Sequence, residues 1–125
     1  MILNIARREV VVASADDPVS EVVAKMEYYN VGCVVIVHKE GPVGIVTDRD
    51  IALRGSGADT VSEIMTRCPQ TINEEDGFDK AIEVMRSAGV RRLPVVDRKG
   101  KLRGLVTLDD ILSALTRSLD DVVGL

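Results

Sequence analysis

The sequence contains one eight-residue pattern twice, and this duplication limits the possible folds more than any other feature. The first copy begins at Gly44 and the second at Gly104, so the copies lie 104 − 44 = 60 positions apart in a chain of 125 residues. Each copy reads Gly, two apolar residues, Thr, two variable residues, Asp and Ile. A repeat of this period predicts two copies of one supersecondary unit, because a single copy of this length buries too little apolar surface to be stable alone.

The first half predicts the order strand, helix, strand, strand, helix. Residues 10–12 are β-branched and indicate a short strand, and residues 19–29 have apolar side chains at helical spacing. Residues 33–37 form a continuous apolar run, which is typical of a strand that is covered on both faces. Residues 43–46 predict the next strand, and Thr47 opens a helix that ends near two glycines.

The second half repeats this order. Phe78, Ala81, Ile82 and Met85 match the apolar helix face of the first half at an offset of 59, and one extra residue in the turn at 98–101 changes the offset to 60. The predicted fold class is therefore α/β, with two β-α-β-β-α repeats that pack through their sheets about an approximate twofold axis. We divide the chain into repeat 1 with its lead-in, 1–57, and a linker with repeat 2 and its tail, 58–125. The tail at 118–125 either extends the last helix or frays.

Composition disfavours several classes of function. No apolar run approaches the roughly 20 residues that cross a membrane, and no secretory signal is visible, so a cytoplasmic protein is expected. The formal net charge of −4 and the scarcity of aromatic residues disfavour nucleic-acid binding. Cys33, Cys68 and His38 do not have the spacing of a zinc site, and no set of nucleophile, base and orienting group indicates an enzyme.

The repeated motif allows two interpretations. Thr47 lies where a strand ends and a helix begins, so its hydroxyl and the free backbone N–H groups there suit a phosphate or a ribose. Asp50 follows one helical turn later and can accept both hydroxyls of a ribose, while Gly44 lets the backbone pack closely. The alternative is a capping box, in which Thr and the acid three residues later only stabilise the helix. The same two interpretations apply to Thr107 and Asp110.

With the doubled motif, the lead-in at 61–66 and the segment at 90–97, the sequence resembles a tandem pair of CBS domains, also called a Bateman module, over nearly its whole length. The resemblance implies a regulatory sensor without catalytic activity. It implies adenine nucleotides or S-adenosylmethionine as ligands, bound in clefts between the repeats, and pairing into flat dimers. It adds no catalytic cofactor and no metal.

The resemblance also implies which residues line the clefts. By the family pattern, Thr47 and Asp50 face one set of residues from the other repeat, and Thr107 and Asp110 face the equivalent set. The implied nucleotide-binding residues are Thr47, Asp50, Thr107, Asp110, Arg91, Arg92, Val90, Gly44, Val46, Cys68, Pro69, Gln70, Val10, Val11, Val31, Gly32 and Val106.

Two arginines distinguish the halves. Arg91 and Arg92 stand where the first half has Gly32 and Cys33, and in the family basic residues at these positions reach phosphates. We therefore expect the Thr47/Asp50 cleft, which the family pattern places with Arg91, to be the better anion site. The alternative is a pair of surface arginines that face acidic groups of a partner.

The expected function is a sensor that binds AMP first, or ADP or ATP, acts as a homodimer and signals to a separate, unidentified protein. One alternative is a structural or dimerisation module with empty clefts and two plain helix caps. S-adenosylmethionine binding is a less favoured alternative. Nucleic-acid binding is another, and it would use Arg7, Arg8, Arg49, Arg54, Arg91 and Arg92.

Overall fold

The computed structural model describes residues 1–123, with side chains described for residues 1–118. Two sheets and four α-helices make up this part of the chain, together with two 3₁₀ turns, Ile2–Asn4 and Val61–Glu63. In chain order the elements are β1 (Val12–Ala13), α1 (Val19–Tyr29), β2 (Cys33–His38), β3 (Gly41–Thr47), α2 (Asp48–Arg54), β4 (Thr66–Arg67), β5 (Ile72–Asn73), α3 (Phe78–Ala88), β6 (Arg92–Val96), β7 (Leu102–Thr107) and α4 (Leu108–Val123).

The two sheets confirm the predicted α/β class and the order strand, helix, strand, strand, helix in each half. One sheet has the order β1-β2-β3-β4, with β1 parallel to β2 and the other neighbours antiparallel. The other sheet has the order β5-β6-β7 and also begins with a parallel pair. The packing of the repeats through their sheets stays a prediction.

Strand β2 has the buried character that its apolar run predicts. Its first four residues, from Cys33 to Ile36, are all buried, so both faces of the strand are covered there. Strand β1 differs from the prediction, since it starts at Val12 and not at Val10. The shift follows the register, in which Val12 pairs with Val35 and the buried Ala13 pairs with Ile36.

The chain divides into two compact units that do not coincide with its two halves. The N-repeat unit contains residues 9–69 and 100–102, and the C-repeat unit contains residues 1–8, 70–99 and those from 103 on. Each unit therefore contains the lead-in that precedes the other repeat in sequence. Residues 1–8 precede repeat 1 but pack in the C-repeat unit, while the linker before repeat 2 packs in the N-repeat unit.

The two lead-ins are built alike. The linker forms the 3₁₀ turn Val61–Glu63 and then strand β4, in which Thr66 pairs with Ile45 of the first motif. Residues 1–8 form the 3₁₀ turn Ile2–Asn4, after which Arg7 and Leu105 of the second motif exchange two backbone hydrogen bonds of 2.9 Å. Ile45 and Leu105 occupy the same place in the two motifs, so the segments around Arg7 and Thr66 are structural counterparts.

Each unit has its own hydrophobic core, and each lead-in contributes buried residues to the core of the unit in which it packs. Ile2 and Val61, at equivalent places in the two lead-ins, are 0% exposed. The buried core of the C-repeat unit consists of Ile2, Leu3, Ile72, Ala81, Met85, Leu93, Val95, Val106 and Ile111. That of the N-repeat unit consists of Ala13, Val19, Val22, Met26, Val34, Ile36, Val46, Val61 and Ile64.

Candidate functional site

The first copy of the motif forms a capping box at the start of α2. The Thr47 N–H donates to Asp50 Oδ2 over 2.9 Å, and the Asp50 N–H donates to Thr47 Oγ1 over 3.3 Å. The Thr47 hydroxyl also donates to Asp50 Oδ2 over 3.2 Å. This reciprocal pair satisfies two backbone donors that a helix start leaves without partners. The capping interpretation of the motif is therefore correct at this copy.

The second copy has the same two backbone bonds at the start of α4. The Thr107 N–H donates to Asp110 Oδ2 over 3.0 Å, and the Asp110 N–H donates to Thr107 Oγ1 over 3.1 Å. Aspartate thus reaches the N-cap in both copies although its side chain is shorter than that of glutamate. The cap occupies Oδ2 and leaves Oδ1, and a carboxylate offers about four lone-pair positions over its two oxygens. Capping and ligand binding can therefore coexist at one aspartate.

The remaining carboxylate oxygen distinguishes the two copies. Asp50 Oδ1 accepts a hydrogen bond from Arg54 Nη2, and Asp50 is only 6% exposed. Asp110 Oδ1 lies 3.8 Å from Arg7 Nε, which is an ion pair too long for a hydrogen bond, and the Asp110 side chain is 18% exposed. Both oxygens of Asp50 are thus hydrogen-bonded to protein groups, whereas Asp110 Oδ1 has only a loose, solvated cation beside it.

The two arginines come from different parts of the chain. Arg54 lies four residues after Asp50 on the same helix, the spacing at which side chains on a helix meet. The position 60 residues later, equivalent to Arg54, holds the buried Ala114, which carries no charge. Arg7 belongs to the N-terminal lead-in and reaches Asp110 because the backbone of Arg7 is paired with Leu105.

The motif glycines are required by the lead-ins. A Cβ on Gly44 would come within 2.5 Å of Met65 Sδ and 3.3 Å of the Thr66 carbonyl oxygen. A Cβ on Gly104 would come within 2.8 Å of the Arg7 carbonyl oxygen. The sequence predicted close backbone packing at these glycines, and the structure shows that the closely packed neighbour is the lead-in segment.

The start of the second strand of each repeat lies beside the motif of that same repeat. The Asp48 N–H donates to the Gly32 carbonyl over 3.0 Å, and the Leu108 N–H donates to the Arg91 carbonyl over 2.9 Å. The C-repeat unit therefore brings Arg91 next to the Thr107/Asp110 motif. The predicted pairing of each motif with residues of the other repeat stays a prediction.

The other predicted site residues differ in accessibility. Val46 and Val106 are fully buried, so their side chains belong to the two cores. Val90 and Arg91 are exposed, and Arg92 is half-buried at the start of β6. Among the residues that end the linker, Cys68 and Gln70 are exposed and Pro69 is half-buried.

A surface pocket of about 450 Å³ lies along the edge of β1 in the N-repeat unit. Lys25 crosses this edge, because its Nζ donates to the Val12 carbonyl over 2.7 Å. The pocket brings together three of the predicted site residues and adds Lys25 and Tyr29, which the sequence analysis missed. Their i, i+4 spacing near the end of α1 is the signal that could have found them. The lining consists of Glu9, Val10, Val11, Val12, Lys25, Tyr29 and Val31.

One carboxyl group outside the motifs has a perturbed pKa. The backbone N–H groups of Thr60 and Asp59 donate to Glu63 Oε2 over 2.8 and 2.7 Å. These bonds, that from Thr60 first, lower the pKa of Glu63 because they favour its charged form. The bond from Thr60 makes Glu63 the acidic member of a capping box at the start of the linker turn.

Neither a metal-binding cluster nor a membrane-spanning helix is present in the described part of the chain. Among the described side chains, those of residues 1–118, no group of three or more His, Cys, Asp and Glu is arranged to hold a metal ion. In residues 1–123, no helix combines the length and the apolar character that crossing a membrane requires.

Comparison with known sequences finds one family across both repeats. The family model of the CBS domain matches residues 2–56 and again residues 61–117. An uncharacterized protein of Methanopyrus kandleri is 39% identical over 116 residues, which are 87% of this chain and 59% of that protein. An inosine-5'-monophosphate dehydrogenase of Methanocaldococcus jannaschii is 35% identical over 106 residues, 84% of this chain but only 21% of the enzyme. The chain thus spans less than two thirds of the length of both relatives.

Solved structures share the fold over nearly the whole chain. The CBS domain pair of protein MJ0100, in complex with 5'-methylthioadenosine and S-adenosyl-L-methionine, has a TM-score of 0.84 and 27% identity. The match covers 94% of this chain and 97% of that one. The CBS domain protein PAE2072 of Pyrobaculum aerophilum, complexed with AMP, has a TM-score of 0.79 over 92% of this chain and 97% of that one, and its 24% identity indicates likeness of fold alone.

Proposed function

This chain belongs to the CBS-domain family as a tandem pair of CBS domains, and we propose that it is a regulatory module that binds an adenosine-containing ligand. The ligand we propose first is AMP, followed by ADP and ATP, with S-adenosylmethionine as the alternative. A separate protein, not identified by the sequence, would read the bound state. The similar domain pair of protein MJ0100 holds two ligands whose common part is adenosine, which supports this class of ligand.

The observation that carries the proposal is the second oxygen of the motif aspartate. At the second motif the capping box fixes the Asp110 carboxylate through Oδ2 and leaves Oδ1 outside the cap. A ribose presents two neighbouring hydroxyl donors, and a fixed carboxylate is a suitable acceptor for both. Because the cap holds the acceptor in place, little side-chain entropy is lost on binding. At least one copy of the motif would serve this purpose.

The charges around the second motif favour a phosphorylated ligand. Arg91 is exposed, and its backbone is hydrogen-bonded to Leu108, the residue after Thr107. An arginine presents a planar fork of donors that matches phosphate geometry. A nucleotide with its ribose on Asp110 would therefore have a cationic side chain available for its phosphate in the same unit. This preference places AMP ahead of S-adenosylmethionine in our proposal.

Signalling requires that the ligand bind one conformational state more tightly than another. A ligand held by the motif contacts the start of α4, and the exposed Leu112 and Leu115 lie further along that helix. We propose that such exposed apolar side chains, together with Leu53 on α2, contribute to a homodimer or a partner surface. Ligand binding would then alter the stability of that surface.

Calorimetric titration of the chain with AMP, ADP, ATP and S-adenosylmethionine tests the proposed function. We expect at least one of them to bind with a dissociation constant below millimolar, and Asp110→Ala to weaken that binding while the circular dichroism spectrum stays unchanged. If none of the four ligands binds below millimolar, the proposed function is wrong.

A second candidate is a structural module that binds no nucleotide. It is favoured by one observation, namely that both motif aspartates complete capping boxes and both have an arginine beside them. In that case Asp50→Ala and Asp110→Ala would lower the melting temperature, and no nucleotide would raise the melting temperature of the unmodified chain.

A further inference from the structure

Arg54 differs in one respect from the other arginines near the motifs, since it directly occupies the oxygen that a ribose would need. Its Nη2 donates to Asp50 Oδ1, while the other Asp50 oxygen accepts from the N–H and the hydroxyl of Thr47. The Asp50 side chain is 9% exposed, so little of the carboxylate faces solvent. The carboxylate offers about four lone-pair positions and three already receive donors, so a ribose that uses both of its hydroxyls must displace one of these bonds. The bond on Oδ1 is charge-assisted and therefore among the stronger bonds in proteins.

The second motif does not have this obstacle. The position equivalent to Arg54 is Ala114, and the arginine near Asp110 is Arg7, whose Nε lies 3.8 Å from Oδ1 and whose side chain is 67% exposed. Such an exposed and loosely paired side chain moves aside at little cost. Among the hydrogen bonds of the described residues, Asp110 accepts only from the Thr107 N–H, whereas Asp50 accepts three.

We propose that Arg54 is the residue that makes the two motifs unequal, by keeping Asp50 as a structural cap and leaving Asp110 as the ribose-binding aspartate. The inference rests on the proposed function and specifies which of its two motifs takes the ligand. It reverses the preference that the sequence suggested, because the presence of Arg91 and Arg92 had favoured the Thr47/Asp50 motif as the anion site. One adenine nucleotide then binds per chain, at Asp110.

Titration calorimetry of the full chain with AMP tests this assignment through stoichiometry. The unmodified chain binds one equivalent of AMP, and Asp110→Asn weakens this binding about tenfold to a hundredfold, as expected for the loss of an ionised acceptor. Arg54→Met frees Asp50 Oδ1 and raises the stoichiometry to two equivalents per chain. Arg49→Met is the matched control, because it removes the same charge from the same helix without changing a partner of Asp50, and it keeps the stoichiometry at one.

Two results overturn the assignment. If Arg54→Met and Arg49→Met both bind one equivalent with unchanged affinity, Arg54 does not control access. If Asp50→Asn abolishes binding and Asp110→Asn does not, the ligand uses the first motif. In both cases AMP still binds and the proposed function stands. Absence of AMP binding in the unmodified chain overturns the assignment, whereas the proposed function is wrong only if ADP, ATP and S-adenosylmethionine also fail to bind below millimolar. Should Arg54→Met be unfolded by circular dichroism, Arg54→Gln, which keeps a polar side chain without the charge, replaces it and is subject to the same criteria.

Discussion

The two copies of the motif perform the same helix capping, but their aspartates are paired over very different distances in sequence. Asp50 is paired with Arg54 on its own helix, four residues away. Asp110 faces Arg7, which lies 110 − 7 = 103 residues away in the N-terminal lead-in. The first pair forms wherever α2 forms, whereas the second also requires that residues 1–8 pack in the C-repeat unit.

This difference shows how a duplicated sequence can acquire two roles. The glycine, the threonine and the aspartate are the same in both copies, and the backbone bonds of the cap differ by at most 0.2 Å. The residue that approaches the second carboxylate oxygen differs, being Arg54 at Asp50 and Arg7 at Asp110. In our proposal, the single arginine Arg54 separates a structural copy from one that is available to a ligand.

Ile2→Ala is expected to cause the largest loss of unfolding free energy, because it weakens the packing of the lead-in that carries Arg7. Ile2 is fully buried in the core of the C-repeat unit, so its truncation should cost about 2–5 kcal/mol of unfolding free energy. The equivalent Val61→Ala in the linker removes fewer carbon atoms and should cost about 2 kcal/mol. Urea unfolding measures both.

Asn4→Ala is the control for Ile2→Ala, since Asn4 is exposed in the same 3₁₀ turn. We expect this control to stay within about 0.5 kcal/mol of the unmodified chain. If Ile2→Ala were equally harmless, residues 1–8 would not be part of the folded unit, and the pairing of Arg7 with Asp110 would lose its basis.

The next effect concerns the two aspartates themselves. Asp50→Asn loses the charge that holds Arg54 and weakens the cap, so we expect a loss of about 2–3 kcal/mol. Asp110→Asn weakens mainly the cap and should cost about 1 kcal/mol, because the ion pair with Arg7 is long and solvated. Thermal unfolding without ligand compares the two variants, and equal losses would contradict the difference between the copies.

Alanine substitutions at the two motif glycines are expected to produce a smaller difference in stability. Gly104→Ala should cost about 1–2 kcal/mol, since the new Cβ meets the Arg7 carbonyl, which is part of a paired backbone and cannot move freely. At Gly44 the nearest atom is the end of the flexible Met65 side chain, so Gly44→Ala should cost less. Chemical denaturation of both variants checks the order, and a larger loss at Gly44 would show that Met65 is as rigid as the backbone.

The smallest effect is the pH dependence that Glu63 gives to the linker. Its pKa is lowered in the folded chain, so the unfolded chain binds more protons in the window between the folded and unfolded pKa values. The contribution is fully present above the unfolded pKa and is lost as the pH falls through the folded pKa. Glu63→Gln should flatten the acid limb of a plot of stability against pH. The equivalent turn Ile2–Asn4 has no side-chain cap. A change in the acid limb on Glu63→Gln is therefore assigned to the linker turn.

Much of the fold could be predicted because its signals are local or repeated. The helical spacing of α1 and α3, the apolar run of β2 and the capping sequences each involve neighbours within a few residues. Asp50 and Arg54 also have the i, i+4 spacing that predicts pairing of side chains on a helix. The capping alternative for the motif was likewise visible from Thr and Asp alone.

The packing of residues 1–8 could not be predicted in this way. The sequence there shows only a short apolar segment followed by arginines, and nothing local indicates which repeat it joins. The pairing of Arg7 with Leu105 depends on the assembled sheet, as does the approach of Arg7 to Asp110. The half of the inequality that depends on Arg7 could therefore not be predicted from local spacing, whereas the half that depends on Arg54 could.

The exchange of lead-ins has a consequence for the order in which the chain matures during synthesis. Thr66 pairs with Ile45, a residue made 66 − 45 = 21 positions earlier, so the linker can join its unit soon after it is translated. Arg7 can pair with Leu105 only after Leu105 has been synthesised, 105 − 7 = 98 positions later. At about 5–20 residues per second, Ile2 and Leu3 would remain without their core for about 5–20 s. The lead-in at 1–8 is thus translated well before the strand that buries it, and a chaperone has that interval in which to bind it.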